Sequence, residues 1–168
     1  MTTETPYKNL QMTVLMTPDM ANFSGHVHGG AMLKLLDQVA YACAARYSGC
    51  YVVTLSVDQV TFREPVHVGE LVTFMASINY TGNTSMEVGV RVEAESIRAR
   101  TSRHVMTCYF TMVAVDERGQ SVSVPPIPVA TATERKRYAA AQLRRDYRRE
   151  VERRGLEIRQ NPEDLLGS

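Results

Sequence analysis

A chain of 168 residues with 44% hydrophobic and 22% charged side chains has the length and balance of one globular domain. A net charge of +1 gives no general attraction to polyanions, and no apolar run approaches the ~20 residues of a membrane span. Cys43, Cys50 and Cys108 are odd in number and show no C-x-x-C spacing, which argues against a disulfide framework and a zinc site. The polar opening, Met1 to Asn9, lacks a basic-then-apolar leader, so a cytoplasmic location is expected.

In chain order, Met12–Thr17 reads as a short strand ended by Pro18-Asp19. Asn22–Gly30 is a Gly-rich loop, and Gly30–Tyr47 reads as one helix rich in Ala, Leu and Met. Its polar residues Lys34, Asp37, Gln38 and Tyr41 fall three and four apart on one stripe; the remaining circumference is apolar, the pattern of a helix enclosed on most sides. Ser48-Gly49 ends it. Four strand-like segments follow: Tyr51–Arg63, Leu71–Tyr80, Thr84–Glu95 and Arg103–Val115. The turn Thr81-Gly82-Asn83 is a hairpin signal between the second and third of them. Val53, Leu55 and Val57 share a face of the first; Val88, Val90 and Val92 share a face of the third, opposite Glu87, Arg91 and Glu93. Consecutive hairpin-linked strands predict a mostly antiparallel sheet covering the single enclosed helix, an α+β arrangement.

Residues 1–130 are read as one domain. Pro125-Pro126-Ile127-Pro128 is a stiff linker, 131–155 an exposed helical extension opened by a Thr131/Glu134 capping box, and 156–168 a frayed tail. The extension and tail carry ten of the 19 basic residues, interleaved with acids, which favours a solvated face over a nucleic-acid site.

The chemistry concentrates where the loop enters the first helix. A helix N-terminus offers N–H groups without intrahelical partners and partial positive charge, and Gly29 and Gly30 let another group approach that backbone. Such a place suits a carbonyl oxygen that gains negative charge, with Asp37 two turns on to handle water or a proton. Gly-x-Ser-x-Gly is absent, which speaks against a serine-hydrolase route.

The run Asn22-x-x-Gly25-x-x-His28-Gly29-Gly30, with Asp37 fifteen residues after Asn22, resembles the active-site segment of hotdog-fold acyl-CoA thioesterases. Phe62-Arg-Glu-Pro65-Val-x-Val-Gly69, Gly82-Asn-Thr-Ser85 and the Val124-Pro-Pro-Ile-Pro-x-x-Thr-x-x-Glu-Arg-x-Arg run resemble further family signatures, the last pointing to the brain-type acyl-CoA hydrolases. The resemblance spans about Met12 to Arg149. It implies a hotdog fold, hydrolysis of acyl-CoA to a carboxylic acid and coenzyme A, and no cofactor beyond the substrate itself. It further implies dimers that share active sites across their interface and assemble as trimers of dimers. Asp37 would be general base or nucleophile, Asn22 would orient water or substrate, and the amides of Gly29 and Gly30 would form the oxyanion hole.

Each assignment has a plainer counterpart. Asp37 could pair with Lys34 one turn away; a catalytic Asp37 should instead be poorly solvated. Asn22 could be a turn residue. His26 and His28 form H-x-H, but a third metal ligand would have to come from His67 or His104, so no metal is expected. His28 matches a family position where the neighbouring backbone matters more than the imidazole. Arg98, Arg100 and Arg103 suit coenzyme A phosphates, or are a solvated loop; Thr84 and Ser85 are candidate nucleotide contacts. The rival functions are a hotdog hydratase or dehydratase and a non-enzymatic acyl-CoA sensor.

Overall fold

The computed structural model describes residues 7–160. Two compact units divide at residues 127 and 128. The first holds β1 (Asn9–Leu15), a 3-10 turn at Pro18–Met20, α1 (Gly29–Ser48), β2 (Tyr51–Val57), β3 (Leu71–Thr81), β4 (Ser85–Ser96) and β5 (Thr101–Val115). The five strands form one antiparallel sheet in the order β1-β3-β4-β5-β2, and α1 lies against all five.

Alternation explains the core. Val72, Phe74, Ala76 and Ile78 of β3, Val88, Val90 and Val92 of β4, and Met106, Cys108, Phe110, Met112 and Ala114 of β5 are buried with Leu36, Val39, Ala40, Cys43 and Ala44 of α1. Each large side chain so enclosed contributes roughly 1.5–3 kcal/mol from burial. Cys43 and Cys108 serve as small apolar groups; burial pushes both thiols up to about 12. Gly49 ends α1 in the left-handed conformation at φ 69°, its amide donating to the Ala45 carbonyl.

Several boundaries differ from expectation. The first strand begins at Asn9, and Thr17 instead precedes the 3-10 turn as its N-cap residue. Arg103–Val115 is extended back to Thr101, and the intervening polar stretch shrinks to a turn in which Arg100 adopts φ 54°. The strand read as Tyr51–Arg63 stops at Val57. Its ladder with β5 shifts between Thr54 and Ser56, and residues 58–70 leave the sheet as a loop. Glu87, read on the face opposite Val88, Val90 and Val92 together with Arg91, is buried and receives the Asn79 amide at 3.4 Å.

The enclosure of α1 is also one-sided. Met32, Leu36, Val39, Ala40, Cys43, Ala44 and Tyr47 are buried, while Leu33, Lys34, Asp37, Gln38 and Tyr41 are exposed. Beside them the edge strand β2 exposes Tyr51, Val53, Leu55 and Val57, Leu55 to 68%.

The second unit holds α2 (Ala132–Gln160), so the helix runs five residues past the expected end at 155. The capping box is formed: Thr131 Oγ1 accepts from the Glu134 amide at 3.1 Å, and Glu134 Oε2 accepts from the Thr131 amide at 3.0 Å. Glu150 pairs with Arg153 and Arg154 at 2.7 and 2.6 Å, holding its carboxyl down at about 2. Among the described residues no helix is long and apolar enough to cross a membrane.

Candidate active site

The loop that feeds α1 is built around Asn22. Its Oδ1 accepts from the amides of Ser24 at 2.9 Å and His26 at 3.1 Å, and its own amide donates to the His26 carbonyl at 2.6 Å. The plainer reading of Asn22 as a turn residue therefore holds for its oxygen. Its Nδ2 group remains for another partner, and Asn22 lines a cleft of about 350 Å³ with His26, Gly29, Phe62, Arg63 and Glu64. The Asn22–His28 loop is bound to the 65–70 segment: the Val27 amide donates to the Val66 carbonyl at 2.8 Å, and the rings of His26 and His67 pack 4.9 Å apart. Among the described residues no three metal-ligating side chains converge.

His28 caps α1. Its Nδ1 accepts from the Gly30 amide at 2.9 Å, and its carbonyl accepts from Ala31 and Met32. Accepting requires Nδ1 to be unprotonated, with the ring hydrogen on Nε2. Of the two amides expected to bind the oxyanion, that of Gly30 is held by the imidazole, which acts on the helix end. Among the described residues the Gly29 amide has no acceptor; Gly29 lines the cleft, and a side chain there would meet the Phe62 ring.

Asp37 lies farther along the same helix. Its Oδ1 accepts from the Thr54 hydroxyl of β2 at 2.6 Å, and Lys34 is not its partner. The carboxylate is exposed rather than poorly solvated, because it sits on the α1 stripe that the sheet leaves uncovered. Thr54 went unread in the sequence; it belongs to a strand, and only helix–strand packing relates it to Asp37.

The arginines separate. Arg98 and Arg100 are exposed in the β4–β5 turn. Arg103 is committed within the chain: its guanidinium donates to both Glu70 oxygens at 2.6 and 2.9 Å and to the Pro65 carbonyl at 2.5 Å. Glu70 is only 7% exposed, and the guanidinium beside it, helped by the His67 amide, holds its carboxyl below the usual range against the opposing effect of burial. Thr84 and Ser85 lie at the β3–β4 hairpin, the opposite end of β4 from Arg98 and Arg100. At ~3.3 Å per residue the twelve-residue strand separates them by about 36 Å, so one chain cannot bring both to one nucleotide.

Residues 24–101 match the model of the thioesterase superfamily. Protein VdlD of Helicobacter pylori is 50% identical over 139 residues, 83% of this chain and 79% of that protein. An apo-hexameric acyl-CoA thioesterase superposes with TM-score 0.82 at 32% identity, covering 85% of this chain and 92% of that one. The acyl-CoA hydrolase of Staphylococcus aureus, solved with butyryl coenzyme A, coenzyme A and coenzyme A disulfide, superposes with TM-score 0.80 at 27% identity and 95% coverage of both chains. The chain belongs to the hotdog-fold thioesterase superfamily. Structures of the S. aureus enzyme include single alanine variants at an asparagine, an aspartate and a threonine, spaced fifteen and seventeen residues apart. Asn22, Asp37 and Thr54 have those same spacings here.

Proposed function

We propose that this protein hydrolyses acyl-CoA thioesters to a carboxylic acid and coenzyme A, with Asp37 as general base and the Gly29 amide as oxyanion donor. Asp37 takes a proton from the attacking water as its oxygen bonds to the carbonyl carbon, the carbonyl oxygen gains charge against the start of α1, and the C–S bond then breaks, the leaving thiolate taking up the proton from Asp37. A positioned base typically supplies ~10²–10⁴ in rate and one oxyanion donor ~10²–10³. Asn22 offers Nδ2 to water or substrate. No metal or organic cofactor enters this scheme.

The observation that carries the reading is the division of these groups along one helix. Gly29 and Asp37 are eight residues apart on α1, about 12 Å along its axis. No single carbonyl can touch both. A second copy laid against the exposed edge of β2 would bring the Thr54-held Asp37 of one chain to the Gly29 amide of the other. The apolar side chains of Val53, Leu55 and Val57 on a strand with one free edge suit such a pairing, and the solved relatives include a hexamer. Butyryl coenzyme A in the S. aureus enzyme supports the substrate class.

The test is thiol release from a panel of acyl-CoAs of increasing chain length by the wild type and Asp37→Ala, with hydration of an enoyl thioester measured in parallel. Hydrolysis lost by orders of magnitude in a folded Asp37→Ala oligomer is expected. Near-wild-type turnover in that variant removes Asp37 from the mechanism, and hydration without thiol release replaces the thioesterase by a hydratase.

A further inference from the structure

We infer that the Arg103–Glu70 ion pair is a positioning device for the oxyanion loop, rather than part of a coenzyme A phosphate site. The inference rests on the thioesterase reading and adds a role to residues outside the reacting groups.

The path is continuous. Arg103 projects from β5 and clamps the 65–70 loop at two places, the Pro65 carbonyl and the Glu70 carboxylate. Glu70 in turn holds the inside of that loop: its Oε2 accepts from the His67 amide at 2.9 Å, and its backbone carbonyl accepts from Met16 at 2.9 Å. Gly69, at φ 88°, lets the loop turn back on itself, and its amide donates to the Met16 carbonyl at 2.8 Å. Pro65, Val66 and His67 are therefore held from behind. Their other side carries the catalytic loop, through Val27 to Val66 and through the bridge between His26 and His67. His26 is the residue that Asn22 grips by both its amide and its carbonyl, and His28, two residues on, starts α1 with the Gly29 amide next to it.

A guanidinium with three donors committed inside the chain has little left for a phosphate. A nearly buried carboxylate would moreover repel one. Planar, two-point recognition is what Arg provides and Lys does not, so a change of one residue type for the other tests geometry with charge kept. A loop displaced by about 1 Å can cost on the order of a hundredfold in rate.

The experiment compares wild type, Arg103→Lys and Glu70→Gln on two thioesters with the same acyl group, one of coenzyme A and one of pantetheine, which lacks the nucleotide and its phosphates. Circular dichroism and melting temperature are read on each protein. The expected result is a loss in kcat of tenfold or more in both variants, equal on the two substrates, with KM within about twofold of wild type. The double variant should be no worse than the more damaged single. Loss confined to the coenzyme A substrate, or a rise in KM on that substrate alone, overturns the inference in favour of a phosphate contact. Variants as active as wild type on both substrates overturn it outright. If Arg103→Lys fails to fold, Glu70→Gln decides alone, since it keeps the side-chain volume and one acceptor oxygen. A wild-type protein that releases thiol from neither substrate refutes the thioesterase reading and this role with it.

Discussion

The Thr54 hydroxyl meets the Asp37 carboxylate at 2.6 Å, tying the exposed stripe of α1 to the edge strand β2 across seventeen residues of sequence. The bond fixes where the acid points. It also ties that acid to the edge strand along which we propose a second copy docks.

Removing the hydroxyl while keeping the shape isolates this contact. Thr54→Val is expected to lower kcat about ten- to a hundredfold, since a hydrogen bond to a charged group is worth roughly 1.5–3 kcal/mol and 1.36 kcal/mol is tenfold in rate. Thr54→Ser should keep most of the activity. Equal rates for the two variants would show that the hydroxyl does not orient the acid.

Shared sites have a signature in mixtures. Asn22→Ala and Asp37→Ala, each inactive alone, should recover activity when unfolded together and refolded. With random pairing half of the dimers are mixed, and each mixed dimer has one intact site, so about a quarter of wild-type activity is expected. Mixing that recovers nothing would mean that both residues of a site come from one chain.

The edge strand can be tested apart from the chemistry. Leu55→Arg places a charge in the middle of the exposed apolar row of β2 and is expected to yield a folded monomer without thiol release. Sedimentation velocity gives the state of association. A fully active monomer would show that one chain is sufficient.

His28 is expected to matter through the helix end. His28→Ala removes the acceptor of the Gly30 amide and should cost ~1 kcal/mol, a fall of about 2–4 °C in Tm for a chain of this size. His28→Asn, which can still cap, should recover most of it. An unchanged Tm in His28→Ala would deny the cap its role.

Acid stability should report on Glu70. Its carboxyl titrates below the ordinary value of 4.5 because the Arg103 guanidinium and the His67 amide favour the charged form. A folded-state value below the unfolded one means that the stabilisation is complete above the unfolded value and is lost as pH falls through the folded one. Urea denaturation of the wild type should therefore lose stability below pH 4.5 more steeply than that of Glu70→Gln. Parallel curves would deny the pair its contribution.

What was legible in the sequence was local. The 3.6-residue pattern of α1, the alternation of β3 to β5, the Gly49 stop and the Thr131/Glu134 box all depend on neighbours within a few positions, and all formed. The strand read through Arg63 stops at Val57, just past the shift in its ladder between Thr54 and Ser56, because an edge strand has a partner on one side only and the apolar alternation continues past the last hydrogen bond. Arg103 was grouped with the other two arginines for a related reason. Arg103 looks like its exposed neighbours Arg98 and Arg100 until the chain folds Glu70, thirty-three residues earlier, beneath it. Thr54 had no local signal at all, and no spacing showed that the side chain of His28, two residues away, would hold the Gly30 amide.

On the pairing proposed above, one short segment both presents the surface for a twin molecule and steadies the acid, so the two traits are inherited together. A lineage drifting at Val53 or Leu55 would lose turnover without ever touching a reacting atom, and heritable changes there should arise in compensating pairs.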